Sequence, residues 1–429
     1  MKEELLHYAW RTRQYNPLQL STTDQQPVQV IHPGRYNLDA GPDFLEAKIK
    51  IGDTLWVGHV EIHVLASDWN KHFHADDPKY RNVILHVVYD ADTDAAVTGR
   101  DPLPTLTLKD QLARDMMDRY DLLMENESWI PCQPFMDQVD EVIWTAWLER
   151  MVVERLERKT LEIHRMLEAC HWDWDSVFYQ LFAAHLGMQV NKEAFLELTR
   201  RTPYNTLLKY RDNLFQVEAL LFGQAGMLTG DFVDDYPQRL QKEFNYQQKK
   251  LGLSPMPGHY WNFLRLRPSN FPTVRIAQLA RIIHTTEHLF SKILAAESIR
   301  EVNSLFGHAA NQYWADHYQF DKPSVNQKRK RLGSQLIQNL IVNVLVPFLF
   351  LYGKVKGLTR YQDKAIDWLQ ALPPEQNAVI SHWNSIRTNA ENALQTQALL
   401  QLKKQHCDAK RCAHCGIGHH LLKQKQTEA

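Results

Sequence analysis

Several things are scarce in this chain of 429 residues, and each scarcity excludes something. Cysteine is rare: five residues, an odd number, in a sequence that opens without a secretory signal. That pattern points to reduced thiols and predicts a cytoplasmic protein. The opening "MKEELLHYAW" carries acids at Glu3 and Glu4, and no apolar stretch of signal-peptide type follows. Net charge is nearly absent, −1 at pH 7. The whole molecule is therefore not a polyanion binder, and any basic surface must be local. A long hydrophobic run is also missing. The longest, from Leu340 to Tyr352, is broken by Asn343 and Pro347 and is too short to span a bilayer. It reads as a buried helix, and no membrane is expected as a partner. A hydrophobic share of 44% and an aromatic share of 10% are those of an ordinary globular protein.

Strand signals concentrate before residue 100. "QPVQVIH", "AKIKIG", "TLWVGHVEIHVL" and "NVILHVVYD" alternate or run apolar over strand lengths. "IGDT" between the second and third has hairpin chemistry, and Leu5, Leu6, Ala9 and Trp10 mark one face of an opening helix. From about Asp137 the pattern turns helical, with Glu–Arg pairs opposite an apolar face. The chain is thus predicted to be α+β: a mixed-sheet domain over 1–130, a helical domain over 131–402 and a small cysteine-containing tail over 403–429.

On a strand, residues two apart share a face. "HVEIH" therefore presents His59, Glu61 and His63 together, with Val60, Ile62 and Val64 turned toward a core. Asp43 precedes the neighbouring strand of the same hairpin, within reach of Glu61. A paired Asp and Glu suits a hard divalent cation, Mg or Mn, which lowers the pKa of a bound water and stabilises charge on a phosphate oxygen. The loop "SDWNKHFHADDPKY" adds His72 and His74. With His63 these have the types and spacing of a zinc site with an open position; the alternative is a polar loop with capping aspartates. His86 is given no role.

Pro42-Asp43, a hairpin and then Glu61-Ile62-His63 resemble the signature of the PD-(D/E)XK nuclease superfamily, in which a strand near Pro-Asp is followed by one carrying (Asp/Glu)-x-Lys. The resemblance covers about the first hundred residues. It implies a nuclease-like core, Asp43 and Glu61 as metal ligands, and an activated water. His63 stands where the family has lysine. It would act as a neutral base or ligand, or Lys48 or Lys50 would supply the positive charge, and Glu3 or Glu4 could add a carboxylate. More widely, blocks such as "GPDF", "GHVEIHVLASDWNKHFHADDPKYRNVILHVVYD", "EALLFGQAGML" and "RLRPSNFPTVRIAQLA", with the terminal cysteines, resemble an uncharacterised family of bacterial proteins, a domain of unknown function.

Cys407, Cys412 and Cys415 are spaced C-x4-C-x2-C, which suits one soft metal, as zinc or an iron–sulfur cluster. The fourth ligand is a local histidine (His406, His414, His419 or His420) or the distant Cys132. Some nucleases of the superfamily named above staple their two chain ends with an iron–sulfur cluster, and Cys132 with the tail would imitate that arrangement.

Lys328, Arg329, Lys330 and Arg331 form a basic run at the expected start of a helix. Arg265 and Arg267 lie among Tyr260, Trp261 and Phe263. Clustered cations with aromatics suit a phosphate backbone and unpaired bases. The expected function is a metal-dependent nuclease with a helical domain that holds DNA or RNA. Two alternatives remain open: a non-catalytic nucleic-acid-binding scaffold on a degenerate nuclease fold, and a zinc-dependent hydrolase of small molecules.

Overall fold

The computed structural model describes residues 2–74, 76–93, 103–325, 327–387 and 389–424. Packing divides the chain into two compact units, Met1–Leu148 with Leu400–Ala429, and Glu149–Leu399.

The first unit is built on a mixed sheet. Helix α1 (Glu3–Thr12) buries Leu5, Leu6, Tyr8, Ala9 and Trp10, the apolar face expected of it, and packs against the sheet. Strands β1 (Val28–His32), β2 (Arg35–Tyr36), β3 (Phe44–Ile51), β4 (Thr54–Leu65), β5 (Val83–Asp90) and β6 (Thr105–Thr107) follow. The order is β1-β3-β4-β5-β6, with β2 pairing the start of β3. β1, β3 and β4 run antiparallel, and the turn between β3 and β4 uses Gly52 at φ +57°, a conformation that suits glycine. β4, β5 and β6 run parallel. Parallel strands need cover on both faces, which explains the near-continuous apolar run of β5 and the burial of Val60 and Ile62 on one face of β4 with Glu61 and His63 on the other.

Between β4 and β5 the chain makes one helical turn, α2 (Asp68–Lys71). Trp69 anchors it, fully buried against Val83, Leu103 and Tyr80. Trp69→Ala is expected to cost about 3–5 kcal/mol, the usual loss for emptying a tryptophan site, and to disorder the loop that follows. Chemical denaturation reads the cost; an unchanged midpoint would show that the loop does not depend on this anchor.

The cysteine-containing tail does not stand apart as a separate element. It returns to α1: the Tyr8 hydroxyl lies 2.9 Å from His419 Nδ1, His414 Nδ1 lies 2.9 Å from Glu4 Oε1, and Arg11 Nη2 donates to the Ala413 carbonyl at 3.0 Å. The last helix, Gly416–Lys423, packs close to its neighbours. A Cβ at Gly416 would sit 2.5 Å from the Trp147 ring and one at Gly418 only 2.1 Å from the Cys412 carbonyl, so the glycines of "CGIG" are steric necessities. The expected boundary near residue 130 falls instead within α3 (Glu141–Ala169), one unbroken helix over the "EVIWTAWLERMVV" stretch.

The second unit is helical among its described residues, apart from a two-stranded ribbon, His317–Gln319 with Lys322–Pro323. The apolar run extends into a helical segment, Ser334–Lys356, long and apolar enough to cross a membrane; 72% of its apolar window is buried inside the protein. It is a core helix, as expected, with a wider turn at Ile341–Leu345 around Asn343, whose Oδ1 accepts from Lys159 at 2.7 Å.

Candidate functional site

Glu61 and His63 are 5% and 2% exposed on one face of β4. Phe44 pairs with Val60 across the antiparallel register, which lays Asp43 beside Glu61. The Asp43 amide donates to Glu61 Oε2 at 3.1 Å, and the Ile62 amide donates to Asp43 Oδ2 at 2.9 Å. Helix α1 adds His7, with Nε2 at 3.2 Å from Asp43 Oδ2, and Glu3, at 3.8 Å from the same nitrogen. The Tyr36 hydroxyl sits 3.4 Å from His7 Nδ1.

The other side of Glu61 meets histidines. α2 ends with the His72 amide on the Asp68 carbonyl, and Phe73 then takes φ +59°. That reversal turns His72 and His74 back over β4. His63 Nε2 lies 3.2 Å from His72 Nδ1 and 3.6 Å from Glu61 Oε1, and His74 Nε2 lies 3.3 Å from Glu61 Oε1. Ligand nitrogens of His63, His72 and His74 all fall within 4.8 Å of one another. Behind them, His86 is opposite Glu61 in the parallel register, with its Nε2 2.9 Å from His63 Nδ1. Tyr80 stacks on His74 at 3.8 Å.

Crowding and burial set the charge states. Burial, then the neighbouring His86, His74 and His72, push the His63 pKa down to about 3. Burial and then His74 push His86 down to about 4, and burial lowers His74. Neutral imidazole is the form a metal binds. Burial, reinforced by the Asp43 carboxylate, raises Glu61 to about 9. His7 goes the other way: burial alone would lower it, but the Asp43, Glu3 and Glu61 carboxylates outweigh burial and raise its pKa.

These residues fit a borderline divalent ion. Tetrahedral ligands about 2.0–2.1 Å from zinc lie about 3.3–3.4 Å from each other, and the contacts around His63, His72, His74 and Glu61 span 3.2–3.6 Å. His74 Nε2 is buried without a hydrogen bond despite its closeness to Glu61.

The carboxylate pair and the histidine loop, read in the sequence as rival sites, therefore share Glu61 and His63. His86, given no role, positions His63. Asp68 and Asp77 are capping aspartates: Asp68 accepts from the Leu65 amide and pairs with Lys71, and Asp77 accepts from the Lys79 amide. His59 faces elsewhere, its Nδ1 accepting from the Glu46 amide at 3.3 Å. Lys48 is exposed and pairs with Val57, four positions along β4 from Glu61, roughly 13 Å at strand spacing. Lys50 pairs with Leu55, farther still. Neither replaces the family lysine. Glu4 is taken by His414, and Glu3 alone of the first two acids turns to the site.

Cys132, Cys407, Cys412 and Cys415 are unbridged, with Cys132, Cys412 and Cys415 buried, and they lie near enough to perturb one another's ionisation. Burial and then Cys415 push Cys132 up to about 12. Burial and then Cys132, Cys415 and Cys412 hold Cys407 well above the usual thiol range. The distant Cys132 is thus a neighbour of the tail thiols.

In the helical unit the basic run precedes its helix as irregular chain, the Arg331 amide donating to the Arg329 carbonyl at 3.1 Å, and the helix starts only at Ser334. Lys328, Arg329, Lys330 and Arg331 line a cleft of about 1250 Å³ together with Arg267. Arg265 is exposed at φ +61° and is not among the cleft's lining residues.

Fold and site define an α+β protein with a histidine–carboxylate cluster on a mixed sheet. Residues 3–378 match the family model described as "Protein of unknown function (DUF2851)", and the chain belongs to that family. The match includes Asp43, Glu61, the three histidines and Cys132, and it ends before the tail cysteines. Nothing among the curated proteins or the solved structures matches the chain, so the nuclease likeness of the first hundred residues rests on motif alone.

Proposed function

We propose that this protein is a metal-dependent hydrolase of phosphodiester bonds in nucleic acid, with its centre where β4 meets the His72–His74 loop. The observation that carries this reading is the gathering of the His63, His72 and His74 nitrogens within 4.8 Å of one another, with Glu61 Oε1 at 3.6 Å from His63 and 3.3 Å from His74. Three nitrogen donors favour zinc over magnesium or manganese. A divalent ion held there supplies Lewis acidity and a water of lowered pKa. Glu61 Oε1 lies beside those nitrogens, where a bound cation would draw its raised pKa back down and leave it a carboxylate able to take a proton from water. His7, its pKa raised beside Asp43, lies on the opposite side of Glu61 and is placed to donate a proton to a leaving oxygen. The phosphodiester substrate is supported by the Pro42-Asp43 and Glu61-x-His63 arrangement, which the hairpin register brings together. At the cysteine cluster we assign a structural zinc or iron–sulfur cluster held by Cys132, Cys407, Cys412 and Cys415.

The test is cleavage of labelled single- and double-stranded DNA and RNA with added Zn²⁺ or Mn²⁺, beside Glu61→Ala. Loss of at least about 100-fold in the variant is expected for a group that handles protons in the reaction. Binding without cleavage under every metal would instead mark a non-catalytic scaffold. Turnover of small esters alone would give the site to a small-molecule hydrolase.

A further inference from the structure

The cleft in the helical unit holds two buried cations that no carboxylate neutralises. Arg275, 5% exposed, gives Nη1 to Gln278 Oε1 at 2.8 Å and Nη2 to Asn270 Oδ1 at 2.6 Å, and its buried Nε has no partner. Lys330, 6% exposed, gives Nζ to the Ala315 carbonyl at 2.9 Å and sits 4.0 Å above the Tyr318 ring. Gln278 links them, donating from Nε2 to the Lys330 carbonyl at 3.4 Å. Among the described residues neither cation has an acid within 4.0 Å, whereas many surface lysines and arginines of this chain do.

Burying an unpaired charge costs several kcal/mol per ion unless a counter-charge arrives. Neutral amides and a carbonyl satisfy hydrogen bonds here but leave the charge standing. The remainder of the lining repeats the sign: seven lysines and arginines face the cleft, against one carboxylate, Glu193. Such an excess calls for an anion of more than one charge. At about 1250 Å³ the cleft also exceeds the ~300–1,000 Å³ usual for small ligands.

We infer that this cleft is a phosphate-binding site, in which Arg275 and Lys330 at its wall and Arg329 and Arg331 nearer solvent take the phosphoryl oxygens of a nucleotide or a nucleic-acid strand. Arginine forks suit those oxygens bidentately. The inference goes beyond the hydrolase reading and does not depend on it. It concerns binding by the helical unit, and it stands if the metal centre hydrolyses nothing.

The experiment uses the full chain without added divalent ion, so that cleavage plays no part. A fluorescein-labelled oligothymidylate is titrated by polarisation at low and moderate salt, with inorganic phosphate, pyrophosphate and ATP as competitors. Arg275→Gln is expected to weaken binding at least tenfold. Because that buried change can perturb folding, Arg329→Ala with Arg331→Ala, both exposed, forms a second variant. It is expected to weaken binding and to lower the salt slope by about two, one for each phosphate that is no longer neutralised. Tight competition by ATP or pyrophosphate identifies a small phosphorylated ligand; binding of the oligonucleotide that ATP does not displace identifies a strand. Either supports the site. No binding of any phosphate probe at low salt, or binding that both variants leave unchanged, overturns it.

Discussion

His72→Ala is expected to abolish the metal proposed at the histidines while leaving untouched the metal proposed at the cysteines. The choice of residue matters. His72 is exposed at the end of α2, where it packs little apolar surface, so its loss costs the fold little. Metal missing from this variant is therefore metal that has lost a ligand, not metal released by an unfolded chain. Substituting residues that only orient a ligand costs about 10–100-fold in metal affinity, so removing a direct ligand is expected to exceed about 100-fold. His86→Ala should fall within the smaller range, because His86 touches His63 through Nδ1 and not the shell itself. Elemental analysis gives the stoichiometry, and titration against a coloured chelator gives the affinity. Equal metal content in wild type and His72→Ala would remove the proposed centre.

The second large effect is expected at the cysteines. Cys412→Ser with Cys415→Ser should lower the unfolding temperature of the N-terminal unit by at least about 10 °C, since structural metal sites carry ~10 kcal/mol or more of folding free energy. Around this cluster the packing leaves no slack. Cys412 and Cys415 flank a turn closed by the Cys415 amide on the Cys412 carbonyl at 3.2 Å, and Gly418 lies against that carbonyl. Burial and the neighbouring thiols hold Cys132, Cys407 and Cys412 protonated, poised to give up their protons only to a metal. Calorimetry measures the shift, and the brown colour of an iron–sulfur cluster distinguishes it from colourless zinc. A variant that keeps both its metal and its unfolding temperature would show that these thiols are merely packed.

Much of this site was legible because it follows from local period. Alternation on β4 put Glu61 and His63 on one face, and the hairpin signal put Asp43 next to them. His59 shares the same parity but lies at the open end of the pairing, where β3 bulges at Glu46, and so it leaves the cluster. Lys48 misses the cluster for a related reason: the nuclease resemblance nominated it, whereas register carries it several residues down the strand. His86 and His7 were invisible as site residues, since only a parallel pairing and a helix docking bring them in, and neither leaves a spacing in the sequence. The reversal at Phe73, which merges two apparent sites, has no glycine to announce it. For the tail, the spacing of the cysteines was legible, and Cys132 was one of several candidate partners; that it rather than a histidine lies among the tail thiols follows only from the fold. The basic run was legible as charge. Its burial of Lys330 beside Arg275 was not, because the helix that holds Arg275 lies more than fifty residues earlier in the chain.

The return of residues 400–424 to α1 sets a timetable for synthesis. A ribosome adding about 5–20 residues per second takes roughly 15–60 s to travel from Cys132 to the end of the tail. Throughout that interval α1 and the nascent sheet exist without the segment that packs on α1, while the helical unit emerges whole and can close. The N-terminal unit is then the last part of the chain to finish folding, although its first strands are among the first made. A newly made molecule therefore leaves Cys132 without its neighbouring tail thiols until residues 407–415 have been made.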